Sequence, residues 1–188
     1  MDAKLIIAAT QRWIETFVIG LNLCPFAQRV FQAGKIRYVV SAATTEKTLL
    51  MDLTRELQSL AAIPITAVET TLLIHPQALT DFLDFNDFLD PAEHRLAQLG
   101  LEGVIQLATF HPHYQFAETE PNAVENFTNR SPYPMLHLLR EESISNLAAN
   151  PDELLAIPER NIETLRRLGR AAILERLQSI AEGSQPEK

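Results

Sequence analysis

Apolar residues recur at helical spacing from the start of the chain. Ile6, Ile7, Trp13, Ile14, Phe17 and Val18 are separated by polar positions, which predicts an amphipathic helix over 4–19 that stops near Gly20. The pattern then changes. "IRYVVSAA", residues 36–43, is rich in β-branched residues and predicts a strand, with Thr44 and Thr45 as caps for a helix running to about Leu60. "ETTLLIHP" predicts a second strand, stopped at Pro76 because proline cannot donate to a sheet ladder. Phe82, Phe85 and Leu89 share one helical face. Asp90, Pro91 and Glu93 then read as the cap, first-turn proline and capping-box acid of a further helix.

Residues 103–110 are mostly apolar on both faces and predict a third strand, placed centrally in the sheet. A polar loop over 117–133 follows, then a helix from about Pro134 to Leu147 and a long helix from Glu159 to about Glu182. Strands alternating with helices predict an α/β fold: a small, largely parallel sheet of three or four strands flanked by helices, with a C-terminal helical extension. The organisation expected is an α/β domain over 1–150 that carries the site, a helix over 151–182 packed on it, and a disordered tail over 183–188.

Composition narrows the class. A chain of 188 residues, 46% hydrophobic, can bury a substantial core as one globular unit. The net charge of −8 opposes non-specific binding to nucleic acid or anionic lipid. Charged residues interrupt the first helix, so neither a signal sequence nor a membrane span is expected there, and a soluble cytoplasmic protein is. The one cysteine, Cys24, excludes a disulfide within the chain and any multi-cysteine metal site. With six glycines and no Gly-x-Gly-x-x-Gly, a nucleotide cofactor held by a glycine-rich loop is not expected. Arg160, Arg166, Arg167, Arg170 and Arg176 alternate with glutamates and read as an ion-paired helix face. Asp81, Asp84, Asp87 and Asp90 drift around a helix and lack a calcium-loop geometry.

Candidate chemistry concentrates in three places. His75-Pro76 and His111-Pro112 put an imidazole at the carboxyl end of each of two strands, where open α/β sheets bind ligands. In "TNRSPYPMLHLLREESI" a helix from Pro134 would place Met135, Leu136, Leu139 and Leu147 inward and His137, Arg140 and Glu141 on another wedge. Asn129, Arg130 and Tyr133 would then stand at the helix start. Cys24 lies in "LCPFAQR". This run is similar to the active-site run of some thioredoxin-like thiol transferases, although here it follows a predicted helix, whereas in those enzymes it follows a strand. No cofactor is expected. The one arrangement for a divalent metal is His111 and His113 with His137 or Glu141 as third ligand.

The runs "LCPFA", "TTLLIHP", "DFLDFNDFL", "QLATFHPHYQF" and "NFTNRSPYPMLHLLREESI" resemble the domain-of-unknown-function family numbered 1415, of bacterial and plant proteins. The likeness spans about Trp13 to Ile144 and leaves out the helix after Pro158. It implies no activity, only that Asn129 to Glu141, His111 and Cys24 belong to a shared signature. Asn122 departs from the acidic residue expected before "NFTNRS" in that family.

Two functions follow as expectations. One is a small enzyme acting on a small anionic molecule. In it Arg130 and Arg140 hold a phosphate or carboxylate, His111 or His137 acts as general acid or base, and Glu141 orients the histidine. Asn129, Tyr133 and His113 contact the substrate, and Cys24 is the nucleophile in a covalent version. The other is a ligand-binding or interaction protein without turnover, in which the His, Arg and Glu motif is a structural network. Oligomeric state is not legible.

Overall fold

The computed structural model describes residues 2–145 and 155–183. Its first helix, α1 (Ala3–Trp13), is capped by Asp2, whose carboxylate accepts from the Lys4 amide at 2.8 Å, and runs on into a π-helical segment, Ile14–Ile19. Gly20 ends it: a Cβ there would stand 2.4 Å from the Thr16 carbonyl oxygen, so the turn closes over a bare α-carbon. Then come α2 (Ala27–Gln32), β1 (Ile36–Val40), α3 (Glu46–Ala62), β2 (Thr70–Ile74), α4 (Phe82–Asp87), α5 (Leu89–Gln98) and β3 (Ile105–Phe110). A 3-10 turn (Val124–Thr128) leads to β4 (Met135–Arg140), α6 (Glu141–Ser145), α7 (Ile157–Leu168) and α8 (Arg170–Glu182).

The fold is α/β, with a four-stranded sheet flanked by helices and a C-terminal helical layer. Thr45 caps α3 as expected, in a full capping box with Thr48. α4 and α5 break at Phe88, and the side-chain cap comes at Asp81, ahead of α4; Asp90 lies inside α5. The predicted long C-terminal helix is two helices. Gly169, at φ +79°, carries a backbone turn that an L side chain would oppose. The expected boundary at residue 150 and the tail beyond Gly183 lie outside the described residues, as does Leu147. Among the described residues no helix is long and apolar enough to cross a membrane.

The sheet order is β1-β2-β4-β3. β1 and β2 pair in parallel, whereas β4 is antiparallel to both β2 and β3. The three predicted strands therefore point the same way, and a reversed fourth strand lies between two of them. Two expectations are corrected by this. β3, expected at the centre, is an edge strand bonded only to β4. The helix expected from Pro134 is a strand over Met135–Arg140, and helix starts only at Glu141. Both corrections have one cause. Pro132 and Pro134 bias the chain towards extended backbone. The segment then enters a slot where ladders on both sides satisfy its amides and carbonyls, and this outweighs the helical preference of Met, Leu and Arg.

The pleat separates the motif. Leu136, Leu138 and Arg140 face α3 and α5, while Met135, His137 and Leu139 face the opposite layer. Leu49, Leu53, Leu57 and Leu60 of α3 pack with Phe85, Phe88 and Leu96 against the first face. Trp13, Ile14 and Phe17 pack with Leu165, Ile173 and Ile180 of the C-terminal helices against the second. Two apolar cores thus enclose one sheet.

Arg140 lies at the first of these interfaces. Its Nη2 donates to the Leu60 carbonyl at 2.6 Å and to that of Ile63, and its Nε to that of Val68 at 3.4 Å. A guanidinium at the C-terminal end of α3 satisfies carbonyls that the helix leaves without partners, and it meets the negative end of the helix dipole. Arg140→Met is expected to lower the unfolding free energy by about 2 kcal/mol in urea titration while keeping the strand signal in circular dichroism. A loss below about 0.5 kcal/mol would remove the cap from the account of stability.

Candidate functional site

A cavity of about 400 Å³ lies between the second sheet face and the layer formed by α1, the π-helical segment and α2. Its floor comes from alternate residues of three strands: Thr70 and Leu72 of β2, His137 and Leu139 of β4, and Gln106, Ala108 and Phe110 of β3. Its roof is Trp13, Ile14 and Val18, and one wall carries Cys24, Phe26 and Ala27. Ser143 and Ile144 of α6 close another side. Trp13 meets Phe110 edge to face at 5.2 Å, and Phe110 lies 6.1 Å from the His137 ring.

Glu69 is the one charged side chain on the wall among the described residues. It is 4% exposed and tied to Arg29 by two hydrogen bonds, one of them 3.1 Å long, with the arginine reaching solvent. The bidentate pair joins α2 to the start of β2 and neutralises the carboxylate.

His137 is held in one tautomer. Thr70 Oγ1 donates to the Leu138 carbonyl at 2.6 Å, which leaves that oxygen to accept from His137 Nε2, 2.7 Å away. Burial pushes the imidazole pKa down to about 4. The part of the ring that is accessible faces the cavity, which is why it is removed from bulk solvent without being fully packed. Nδ1 has no hydrogen-bond partner among the described residues. The ring is therefore neutral near pH 7, with a bare lone pair. Burial raises the Cys24 thiol pKa, against the smaller pull of the Phe26 and Ala27 amides and of the Arg160 charge. Cys24 is protonated near neutral pH.

Of the residues singled out in the sequence, the fold brings Cys24 and His137 to this cavity and takes the others elsewhere. Arg140 is on the opposite sheet face, capping α3. Glu141 follows the end of β4, its amide bonded to the Val104 carbonyl at 3.0 Å, so the expected i, i+4 partnership with His137 does not form. His111 is buried beneath α4: Nδ1 accepts from the His113 amide at 3.0 Å, and Nε2 donates to the Leu79 carbonyl at 3.2 Å. Phe85 lies 5.2 Å from His111 and 5.7 Å from the equally buried His75. His75 Nδ1 is bonded to the Ala78 carbonyl at 2.9 Å, and burial pushes its pKa down to about 4. His113 is exposed.

The "NFTNRSPY" run holds the long connection between β3 and β4. Asn126, fully buried, accepts from the Phe116 amide at 3.0 Å and the Thr119 hydroxyl at 2.8 Å and donates to the Glu120 carbonyl at 2.9 Å. Asn129 donates to the Thr109 carbonyl at 3.2 Å. Arg130 donates to the Tyr114 and Pro121 carbonyls and lies 4.4 Å over the Phe127 ring. Tyr133 packs against the second core. Asn122, the departure noted above, accepts from Arg170 at 3.0 Å and so ties this loop to α8.

Sequence reasoning missed Trp13, Glu69, Thr70 and Gln106 as wall residues. One signal was available. Thr70 and Gln106 are polar positions in strands that otherwise read as buried, and they occupy one transverse row of the sheet, Thr70–Leu139–Gln106. Among the described residues, no three His, Cys, Asp or Glu side chains are grouped to hold a metal ion.

The neutral histidines give a pH dependence. The unfolded chain protonates His75 and His137 near 6.5, whereas the folded chain resists until about 4. Each depressed pKa therefore leaves stability intact above about pH 6.5 and removes it as the pH falls towards 4, by about 3 kcal/mol per histidine. The difference in unfolding free energy between wild type and His75→Gln should shrink by that amount between about pH 7 and pH 4. A flat difference would mean that His75 titrates normally.

A family model described as a protein of unknown function (DUF1415) matches residues 5–175. The match runs past Ile144, where the resemblance was expected to end, and takes in α7 and the first part of α8. No curated protein matches, and no solved structure does.

Proposed function

The chain belongs to the DUF1415 family of proteins of unknown function, and on that premise we propose that it is a cytoplasmic protein that binds a largely apolar small molecule between its sheet and first helix. The observation that carries this reading is the cavity itself. At about 400 Å³ it falls within the range of about 300–1,000 Å³ common for ligand sites. An unfilled apolar space forgoes dispersion contacts that larger side chains would restore, and Ala27 and Ala108 keep it open. A lone free thiol suits a reducing compartment.

The physical case for an anionic ligand is weaker. Arg130 and Arg140, the cations expected to hold it, spend their donors on backbone carbonyls. The acid on the cavity wall, Glu69, is already paired. In this reading the His, Arg and Glu motif is mostly a structural network that positions β4 and its preceding loop. The net charge of −8 disfavours nucleic acid and anionic membrane surfaces as partners.

One observation favours a second reading: Cys24 and His137 line the same cavity. A nucleophilic enzyme would use the bare Nδ1 of His137 to take the Cys24 proton as an electrophile is attacked. Burial raises the thiol pKa and lowers that of the imidazole, so both shifts act against proton transfer before a substrate is bound.

The neutral fluorophore N-phenyl-1-naphthylamine is expected to brighten on binding. Ala108→Phe, which fills the floor of the cavity, should weaken that binding at least about tenfold. Arg140→Met, on the other sheet face, should leave it unchanged. Binding unaffected by Ala108→Phe would place the dye elsewhere and overturn the proposal. Turnover of an apolar ester lost in both Cys24→Ser and His137→Phe would instead establish the second reading.

A further inference from the structure

Resting on the binding reading above, we infer that the cavity selects an uncharged apolar molecule that ends in a hydroxyl group, and that this hydroxyl donates its proton to Nδ1 of His137. The polar groups of the cavity are unevenly placed. The strand row Thr70–Leu139–Gln106 and the adjoining Glu69 carry polarity at one end, and His137 occupies the next row inward. Beyond them Phe110, Ile14 and Val18 are apolar, and Trp13 is apolar but for its buried indole N–H. A ligand therefore lies along the strands with its polar end towards Gln106 and its body under the first helix.

The buried partners around His137 at the polar end are acceptors, while Gln106 at the exposed rim carries an amide that both donates and accepts and so does not discriminate among oxygen head groups. Thr70 Oγ1 has no proton left to give, because that proton goes to the Leu138 carbonyl; one lone pair receives His137 Nε2–H, and the other can only accept. The imidazole proton is consumed in that contact, so Nδ1 can only accept. Glu69 is likewise an acceptor, and its charge is matched by Arg29. A carboxylate would meet these lone pairs with more lone pairs, and an ether or ketone oxygen has no proton to give. Trp13 Nε1–H on the roof, without a partner among the described residues, is itself buried and does not discriminate among these groups. The buried Ser143 hydroxyl, without a partner among the described residues, can donate or accept. Among these oxygen head groups, a hydroxyl alone gives His137 its missing donor without bringing in a charge.

The test is displacement of N-phenyl-1-naphthylamine from the full chain by 1-dodecanol, dodecyl methyl ether and dodecanoate, below their aggregation limits. The alcohol is expected to bind at least about tenfold tighter than either of the others. In His137→Phe, which keeps the ring and removes the acceptor, alcohol affinity should fall to that of the ether while the ether is unchanged. Equal binding of alcohol and ether by the wild type, or an alcohol preference that survives His137→Phe, would overturn the hydroxyl assignment and leave the cavity reading standing. Failure of the dye and of all three chains to bind would overturn both.

Discussion

The backbone hydrogen bonding of Met135–Arg140 is the interaction on which the rest of the structure depends. These residues bond on one side to β2 and on the other to β3, so one short segment satisfies the facing edges of two strands that would otherwise lie open. Remove it and the sheet divides into a β1–β2 pair and an isolated β3. The antiparallel sense of the insertion also sets the side-chain alternation that sends His137 to one layer and Arg140 to the other. Cavity floor and helix cap are two consequences of one ladder.

An inserted strand needs its approach held in place, and the polar residues of the preceding loop do this. Asn126, Asn129 and Arg130 direct their donors and acceptors almost wholly at backbone groups of 109–121. The connection between β3 and β4 is long, and ordering it costs conformational entropy that local contacts must offset. Buried amide side chains are suited to this, since each satisfies several backbone groups at once. The density of polar residues around "NFTNRSPYP" thus has an architectural cause. His75 and His111 serve similarly beneath α4, where most of their ring nitrogens are matched to backbone carbonyls or amides.

The polar groups around the cavity are also left partly unmatched, as is His75 Nε2 beneath α4. Among the described residues, His137 keeps one lone pair without a partner, and the Trp13 indole N–H and the Ser143 hydroxyl have none. Buried polar groups are ordinarily satisfied. The bare lone pair of His137 on the wall of an apolar space is the physical reason for the ligand proposed there, and the locked tautomer of His137 gives that ligand its chemical character.

Much was legible from residue order alone, where local chemistry decides. The amphipathic first helix, the Thr45 cap, strands β1, β2 and β3, the histidines at two strand ends and the α/β class all follow from periodicity and capping, which need no distant partner. The run "MLHLL", apolar but for His137, satisfies helical and strand periods alike, so only the slot between β2 and β3 could choose between them. That choice moved β3 to the edge, separated His137 from Arg140 and brought His137 to the cavity that Cys24 also lines. Residue types and spacing settle what a segment can bond to within a few turns. Which faces meet across 70 or 80 residues of chain is decided by backbone pairing in the folded sheet, and in this protein that pairing decided the site.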